Sequence, residues 1–217
     1  GDAFEVGGRT WRVVTGNGHP PEHACLYCPE LKLLISGDQV LPRISSNVSV
    51  FPTEPDADPL TDWMTSLAKL KAAIPDEVLV LPAHNDPFHG LHARLDHLIG
   101  GHERSLERLE KLLATAPKRA IDLFGALFAR TIGPELAGMA TGESLAHINC
   151  LIARGKAVRV DEGDGVAWYR AAGWDEEAIE TYKARFGGFG KAIYQLPDSY
   201  PRLVGGGGVG GRGGHLG

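Results

Sequence analysis

The N-terminal third of the chain alternates between apolar and polar positions. "FEVGG" and "TWRVVTG" read as two strands around a Gly-Gly turn, and "HACLYCPELKLLISGD" as a second strand pair turning at Pro29-Glu30. The period then lengthens. In "DADPLTDWMTSLAKLKAAIP", Leu60, Trp63, Met64, Leu67, Leu70 and Ile74 recur at helical spacing. Asp58 suits the N-cap, Pro59 the first helical position, and Pro75 stops the helix. "DEVLVLPAH" is a short apolar run of the kind a buried strand carries. A long helix is expected from Leu91, with Leu95, Leu98, Ile99, Leu106, Leu109 and Leu113 on one face. Gly100 and Gly101 weaken its middle by about 1 kcal/mol each relative to alanine.

The character changes at Pro117. "AIDLFGALFAR" and "GESLAHINCLIARG" predict two short amphipathic helices, the second ended by Gly155. "KAVRVDEGDGVAWYR" predicts a hairpin turning at residues 162–165. Helices followed by a two-stranded wing suggest a small winged-helix module. Its helix is poor in basic residues, which favours a packing role over DNA. "WDEEAIETYKARFGGFG" is helical again and leads into a tail with 9 glycines in 14 residues, too glycine-rich to bury a core. The expected organisation is therefore 1–115 as the main domain, 116–171 as the winged module, 172–203 as a helical segment packing on the first domain, and 204–217 as a glycine-rich tail.

Composition narrows the class. The 217 residues are 43% hydrophobic and 23% charged, ordinary for a globular chain with a core. A net charge of −5 without a basic run argues against nucleic acid as the partner. No apolar run approaches the ~20 residues that span a bilayer, and no signal peptide opens the sequence, so the expectation is no membrane and a cytoplasmic location. Three cysteines do not make a disulfide framework. Cys25 and Cys28 copy the C-x-x-C redox spacing, but no helix start follows them, so they are assigned to a strand.

Three places share one pattern: a strand ends and a metal-capable side chain follows. They are His19 in "GNGHPPEH", Asp38 in "LLISGDQV" and His84 in "VLVLPAHNDP". Strand ends on one side of a sheet converge, so ligands distant in sequence meet there. Two imidazoles and a carboxylate suit zinc, and a carboxylate between two histidines can bridge a pair of cations. Taken singly, each has an ordinary alternative: a loop histidine is commonly solvated, and "SGD" is first a turn sequence. Arg43, Ser45 and Ser46 follow the Asp38 strand and either line a substrate pocket or form an exposed loop. His92, His97 and His102 lack the spacing of H-E-x-x-H.

"TGNGHPPEHACLY", "LLISGDQVLPRIS" and "LVLPAHNDPFHGL", in that order, resemble the later motifs of the metallo-β-lactamase superfamily. "SLAHINCLIARGKAVRV" resembles the winged-helix module of its glyoxalase-II-like hydrolases. The likeness implies an α/β fold, the αβ/βα sandwich of that superfamily and largely its second half. It implies His19, Asp38 and His84 as ligands, Asp38 bridging and also catalytic, with His23 supporting the site from behind. The implied cofactor is Zn2+, dinuclear in the intact family, with Fe or Mn as alternatives. The implied reaction is attack of a zinc-bound hydroxide on an ester, thioester, lactone or phosphoester of a small-molecule substrate.

The family's leading motif, His-x-His-x-Asp-His, is absent from these 217 residues. The segment "GWDEEAIETYKARFGGFGKAIYQLPDSYPRL" resembles the piece that precedes "GDAFEVGG" in relatives, so joining Leu203 to Gly1 restores the family order. The chain thus resembles a truncated, rearranged or permuted form of the fold, with segment 174–203 expected beside the N-terminal strand. His215 in "GGHLG", or a second copy of the chain as a homo-oligomer, is a candidate to complete the metal shell. Two other functions compete: an inactive rearranged scaffold, favoured by the missing motif, and an RNA-processing hydrolase, disfavoured by the charge.

Overall fold

The structure is a computed structural model that describes residues 1–161 and 165–189. Strands β1 (Ala3–Val6), β2 (Arg9–Gly16), β3 (His23–Cys28) and β4 (Leu33–Gly37) form an antiparallel meander, and β5 (Leu79–Pro82) adds parallel to β4. A parallel step requires a crossover, and α1 (Pro59–Ala73) supplies it. This topology points β2, β4 and β5 the same way. Their C-terminal ends therefore lie along one edge of the sheet, together with the first residue of β3.

Register separates the two faces of the sheet. Tyr27 pairs with Leu34, and Leu34 with Val80, so these residues share a face, and all three are buried. The buried stripe of α1 (Leu60, Trp63, Met64, Leu67 and Leu70) belongs to the same core, as predicted. The Asp58 carboxylate accepts from the Thr61 backbone N–H at 3.1 Å and caps the helix. The opposite face carries Phe4, Val6, Leu26 and Ile35. Here Val6 is 58% and Phe4 40% exposed. One layer of a two-layer αβ/βα sandwich presents such an apolar second face.

Helix α2 (Leu91–Thr115) runs through Gly100-Gly101 without a break, and its buried face is Leu91, Leu95, Leu98, His102, Leu106, Leu109 and Leu113. Burial of that stripe outweighs the low helix propensity of the glycine pair. Beyond it the sequence-based boundaries need correcting. The first expected short helix is a 3-10 turn, Ala120–Leu123, running into the single-turn α3 (Phe124–Leu127). Asp122 accepts from the Arg119 backbone N–H and tightens that turn. The second is longer than predicted: a 3-10 turn, Pro134–Leu136, leads into α4 (Ala137–Ala153). It is also buried on most sides rather than simply amphipathic, with Ala146 to Leu151 enclosed.

Strands β6 (Ala157–Asp161) and β7 (Ala167–Ala171) pair as predicted, although most of the hairpin's turn lies outside the described residues. Lys118 bridges to Tyr169 and extends this small sheet. Helix α5 (Glu176–Phe186) is capped by Asp175 and ends at Gly187 in the left-handed region. Its segment is anchored where the Trp174 indole donates to the Ala114 carbonyl at 3.1 Å, and Tyr182 sits between the rings of Trp174, Phe186 and Phe189. The expected junction of Leu203 with Gly1 lies outside the described residues, as does the tail. No described helix is long and apolar enough to cross a membrane.

Gly18 fixes the loop after β2 against α1. Its φ is +99°, and a Cβ there would overlap Trp63 Cβ and the Pro59 carbonyl. Gly18→Ala combines left-handed strain with overpacking, for an expected loss of about 2–4 kcal/mol. A urea-unfolding midpoint unchanged from the parent chain would contradict this packing.

Candidate metal centre

The shared edge of the sheet brings His19, Asp38 and His84 together. His19 follows the end of β2, Asp38 follows Gly37 at the end of β4, and His84 follows Pro82 at the end of β5. Asp38 is central: His84 Nε2 lies 3.4 Å from its Oδ1 and His19 Nε2 lies 4.0 Å from its Oδ2. Two donors on a tetrahedral ion with bonds of ~2.0–2.1 Å stand about 3.3 Å apart. The His84–Asp38 pair is close to the spacing that one cation needs, and the His19–Asp38 pair is about 0.7 Å wider than that spacing. Among the described residues no group of three or more His, Cys, Asp or Glu side chains is gathered for a single ion. The donor set fits zinc in chemistry, and it fits as two pairs.

The ring of His19 is oriented for this. Its Nδ1–H donates to the Asn47 carbonyl at 2.6 Å, which leaves the Nε2 lone pair facing Asp38. Asp38 is held through its backbone: the Ser46 hydroxyl donates to the Asp38 carbonyl. His23 does not approach the carboxylate. Its Nε2–H donates to the Ser36 carbonyl at 3.1 Å, and its ring lies where a Cβ on Gly37 would fall, so it supports the turn that presents Asp38. Gly37 has φ +54°, and glycine meets both demands. His215 lies outside the described residues.

Arg43 and Ser45 line a pocket of about 230 Å³ with Arg94, His97, Ser105 and Glu143. Arg43 also pairs with Asp86, two residues beyond His84, at 3.2 Å. Ser46 is buried instead. Of the remaining histidines, His89 donates to the Val78 carbonyl and His92 to the Ile74 carbonyl, which are structural contacts. Cys25 and Cys28 are buried in β3, and burial pushes the Cys25 thiol up to about 12, so it is inert.

Nothing in the sequence pattern announces the polar cluster at the pocket's inner wall. His102 and His147 are both buried, with His102 Nδ1 3.1 Å from His147 Nε2. A carbonyl only accepts, so His147 Nδ1–H donates to the Glu143 carbonyl at 2.8 Å. That leaves His147 Nε2 to accept from His102, while His102 Nε2 lies 3.2 Å from the Ser45 hydroxyl, which also reaches the Ser46 carbonyl at 3.2 Å. Both rings are neutral in this arrangement, and burial lowers each to about 4. Burial raises the neighbouring Glu143 carboxyl to about 7, against the opposing hydrogen bond from Asn47.

Two family models match the chain. "Metallo-beta-lactamase superfamily" covers residues 1–84, and "Metallo-beta-lactamase-like, C-terminal domain" covers residues 106–172. Among solved structures, a beta-lactamase domain protein from Burkholderia ambifaria is 43% identical with a TM-score of 0.76, covering 79% of this chain and 51% of that one. A metallo-beta-lactamase family protein from Thermus thermophilus is 30% identical with a TM-score of 0.67, covering 79% of this chain and 52% of that one. The curated atrochrysone carboxyl ACP thioesterase of Aspergillus fumigatus is 32% identical over 96 residues, 44% of this chain and 20% of the thioesterase. The chain thus spans about half the length of the two structural relatives and a fifth of the curated one.

Proposed function

Over residues 1–84 and 106–172 the chain belongs to the metallo-beta-lactamase superfamily, and from that premise we propose that it acts as a metal-dependent hydrolase of esters, thioesters, lactones or phosphoesters. The observation that carries the proposal is the Asp38 carboxylate, flanked on its two oxygens by the Nε2 atoms of His84 and His19. Thioesters come first among the substrates, because a relative at 32% identity is named a thioesterase. The helix–hairpin order from α4 to β7 supports reading residues 116–171 as a winged-helix module, and so the glyoxalase-II-like branch.

His19 and Asp38 would hold one zinc, and Asp38 and His84 the other. Bound there, zinc supplies a Lewis acid that lowers the pKa of a water from ~15.7 to roughly 7. The chain's own residues do the rest. The Asn47 carbonyl fixes the His19 tautomer, and the His23 ring and the Ser46 hydroxyl fix the turn of Asp38. Two protein donors per ion is fewer than the three usual at catalytic zinc. We therefore expect weak, substoichiometric zinc and slow turnover for this chain unless further ligands join, from His215 or from a second copy.

The test is elemental analysis after dialysis, beside thioester hydrolysis with and without chelator. Hydrolysis that persists undiminished after full metal removal would sink the metal-dependent reading. Two tightly held metals per chain would overturn only the expectation of weak binding.

A further inference from the structure

The network behind His19 crosses from the sheet domain into α4. Asn47 accepts the His19 Nδ1–H on its carbonyl, and its side-chain Nδ2–H donates to the Glu143 carboxylate of α4 at 3.1 Å. The Ser49 hydroxyl donates to Asn47 Oδ1 at 2.6 Å, so the Asn47 side chain is held on both of its polar atoms. The backbone is clamped at the same place: Val50 N–H donates to the Gly142 carbonyl at 3.0 Å. A Cβ on Gly142 would press on Ser49 and the Val50 carbonyl, so the residue before Glu143 is a glycine in close backbone contact. Segment 46–50 therefore meets the candidate ligands on one side, through Ser46 with Asp38 and Asn47 with His19, and α4 on the other.

We infer that Asn47 and Glu143 are positioning residues for His19, and that the region carrying α4 forms part of the outer wall of the metal centre. A backbone carbonyl orients an imidazole only as well as the carbonyl itself is fixed. Asn47 lies in an irregular segment, where no helix or strand ladder fixes it. Its side-chain bonds to Glu143 and Ser49 take that role. The inference rests on reading His19 as a ligand. Neither Asn47 nor Glu143 touches the donor atoms, so both act through the ring of His19.

The test uses the full chain in two arms. In the metal-free chain, the Nδ1–H proton and tautomer of His19 are read by imidazole nitrogen NMR in the parent, Glu143→Ala, Glu143→Gln and Asn47→Ala forms. In the second arm each form is titrated with zinc alone. Glu143→Ala and Asn47→Ala are expected to lose the single tautomer of His19 and to weaken zinc binding by roughly 10–100-fold, the range for residues that orient a metal ligand from behind. Glu143→Gln keeps an acceptor for Asn47 and is expected to stay within about threefold of the parent.

Should the alanine forms fail to fold, Asn47→Asp removes the side-chain N–H that Glu143 accepts. It is expected to weaken zinc binding, and Asn47→Asp with Glu143→Gln to recover it. Parent-like tautomer and affinity in Glu143→Ala overturn the inference. So does a Glu143→Gln form as weak as Glu143→Ala, or an Asn47→Asp form that the second change does not rescue. A parent chain with no zinc affinity but a His19 tautomer that depends on Glu143 overturns the hydrolase reading and leaves the positioning intact.

Discussion

Asp38→Ala is expected to weaken zinc binding by well over 100-fold and to remove metal-dependent hydrolysis. The size follows from position. Residues that orient a ligand from behind cost about 10–100-fold when removed, and Asp38 is a candidate direct donor to both cations. His19 and His84 each face one oxygen of Asp38, so losing either should spare the opposite pair. His19→Ala and His84→Ala are thus each expected to cost less than Asp38→Ala, and the double histidine variant about as much as Asp38→Ala alone. The two histidine losses should therefore add, because each removes a donor from a different pair. Fold damage is expected to be small. The Asp38 side chain is 32% exposed, and its backbone is held by Ser46 independently of the carboxylate. Stability should move within about 0.5 kcal/mol. Zinc titration beside a thermal melt decides it. An Asp38→Ala chain that binds zinc like the parent shows that the carboxylate is not a ligand.

The arrangement of these three residues is legible in the sequence because each follows the C-terminal end of a strand. Apolar alternation places the strand ends of β2 and β4, a short apolar run places that of β5, and the crossover by α1 sets their common direction. His23 is legible only as a neighbour. Its contact with the Ser36 carbonyl depends on the register of β3 against β4, which periodicity does not give. The start of α4 is obscured because Gly138 and Gly142 have low helix propensity and disguise its first turns. At Gly142 that cost is offset by the close approach to Ser49 and Val50.

Asn47, Glu143, His102 and His147 are not legible at all. Asn47 meets Glu143 across 96 residues and His102 meets His147 across 45, and nothing local to either partner announces the other. In sequence, His102 occupies an ordinary place in the leucine stripe of α2, and only the fold shows that a second imidazole faces it. The first expected helix after Pro117 fails for a local reason. Asp122 turns back onto Arg119 and favours a 3-10 turn, and the following helix stops after one turn at Phe128.

Acidification from pH 6.5 to 4.5 is expected to cost the folded chain about 2–3 kcal/mol through the buried cluster, and about twice that once Glu143 is replaced by glutamine. The two kinds of group act with opposite sign. His102 and His147 are lowered from 6.5 to about 4 by burial. Their contribution is full above pH 6.5 and is lost as pH falls toward 4, because the unfolded chain takes up protons that the buried rings refuse. Glu143 is raised from 4.5 to about 7, also by burial. Its contribution is full below pH 4.5 and is lost as pH rises through 7, because the folded chain must then bury a carboxylate. Within the window from 4.5 to 6.5, unfolding thus takes up two protons at the histidines and releases one at Glu143. The net uptake of one proton gives about 1.4 kcal/mol per pH unit. Arg108 further lowers His147, and Glu103 weakly opposes the lowering of His102. Glu143→Gln removes the opposing proton, so the slope should roughly double. Urea unfolding of both forms at pH 6.5, 5.5 and 4.5 measures the difference between their slopes, from which titrations elsewhere in the chain cancel. Equal slopes in the two forms would show that Glu143 is not held protonated in the fold. A steeper parent slope would reverse the sign assigned to it.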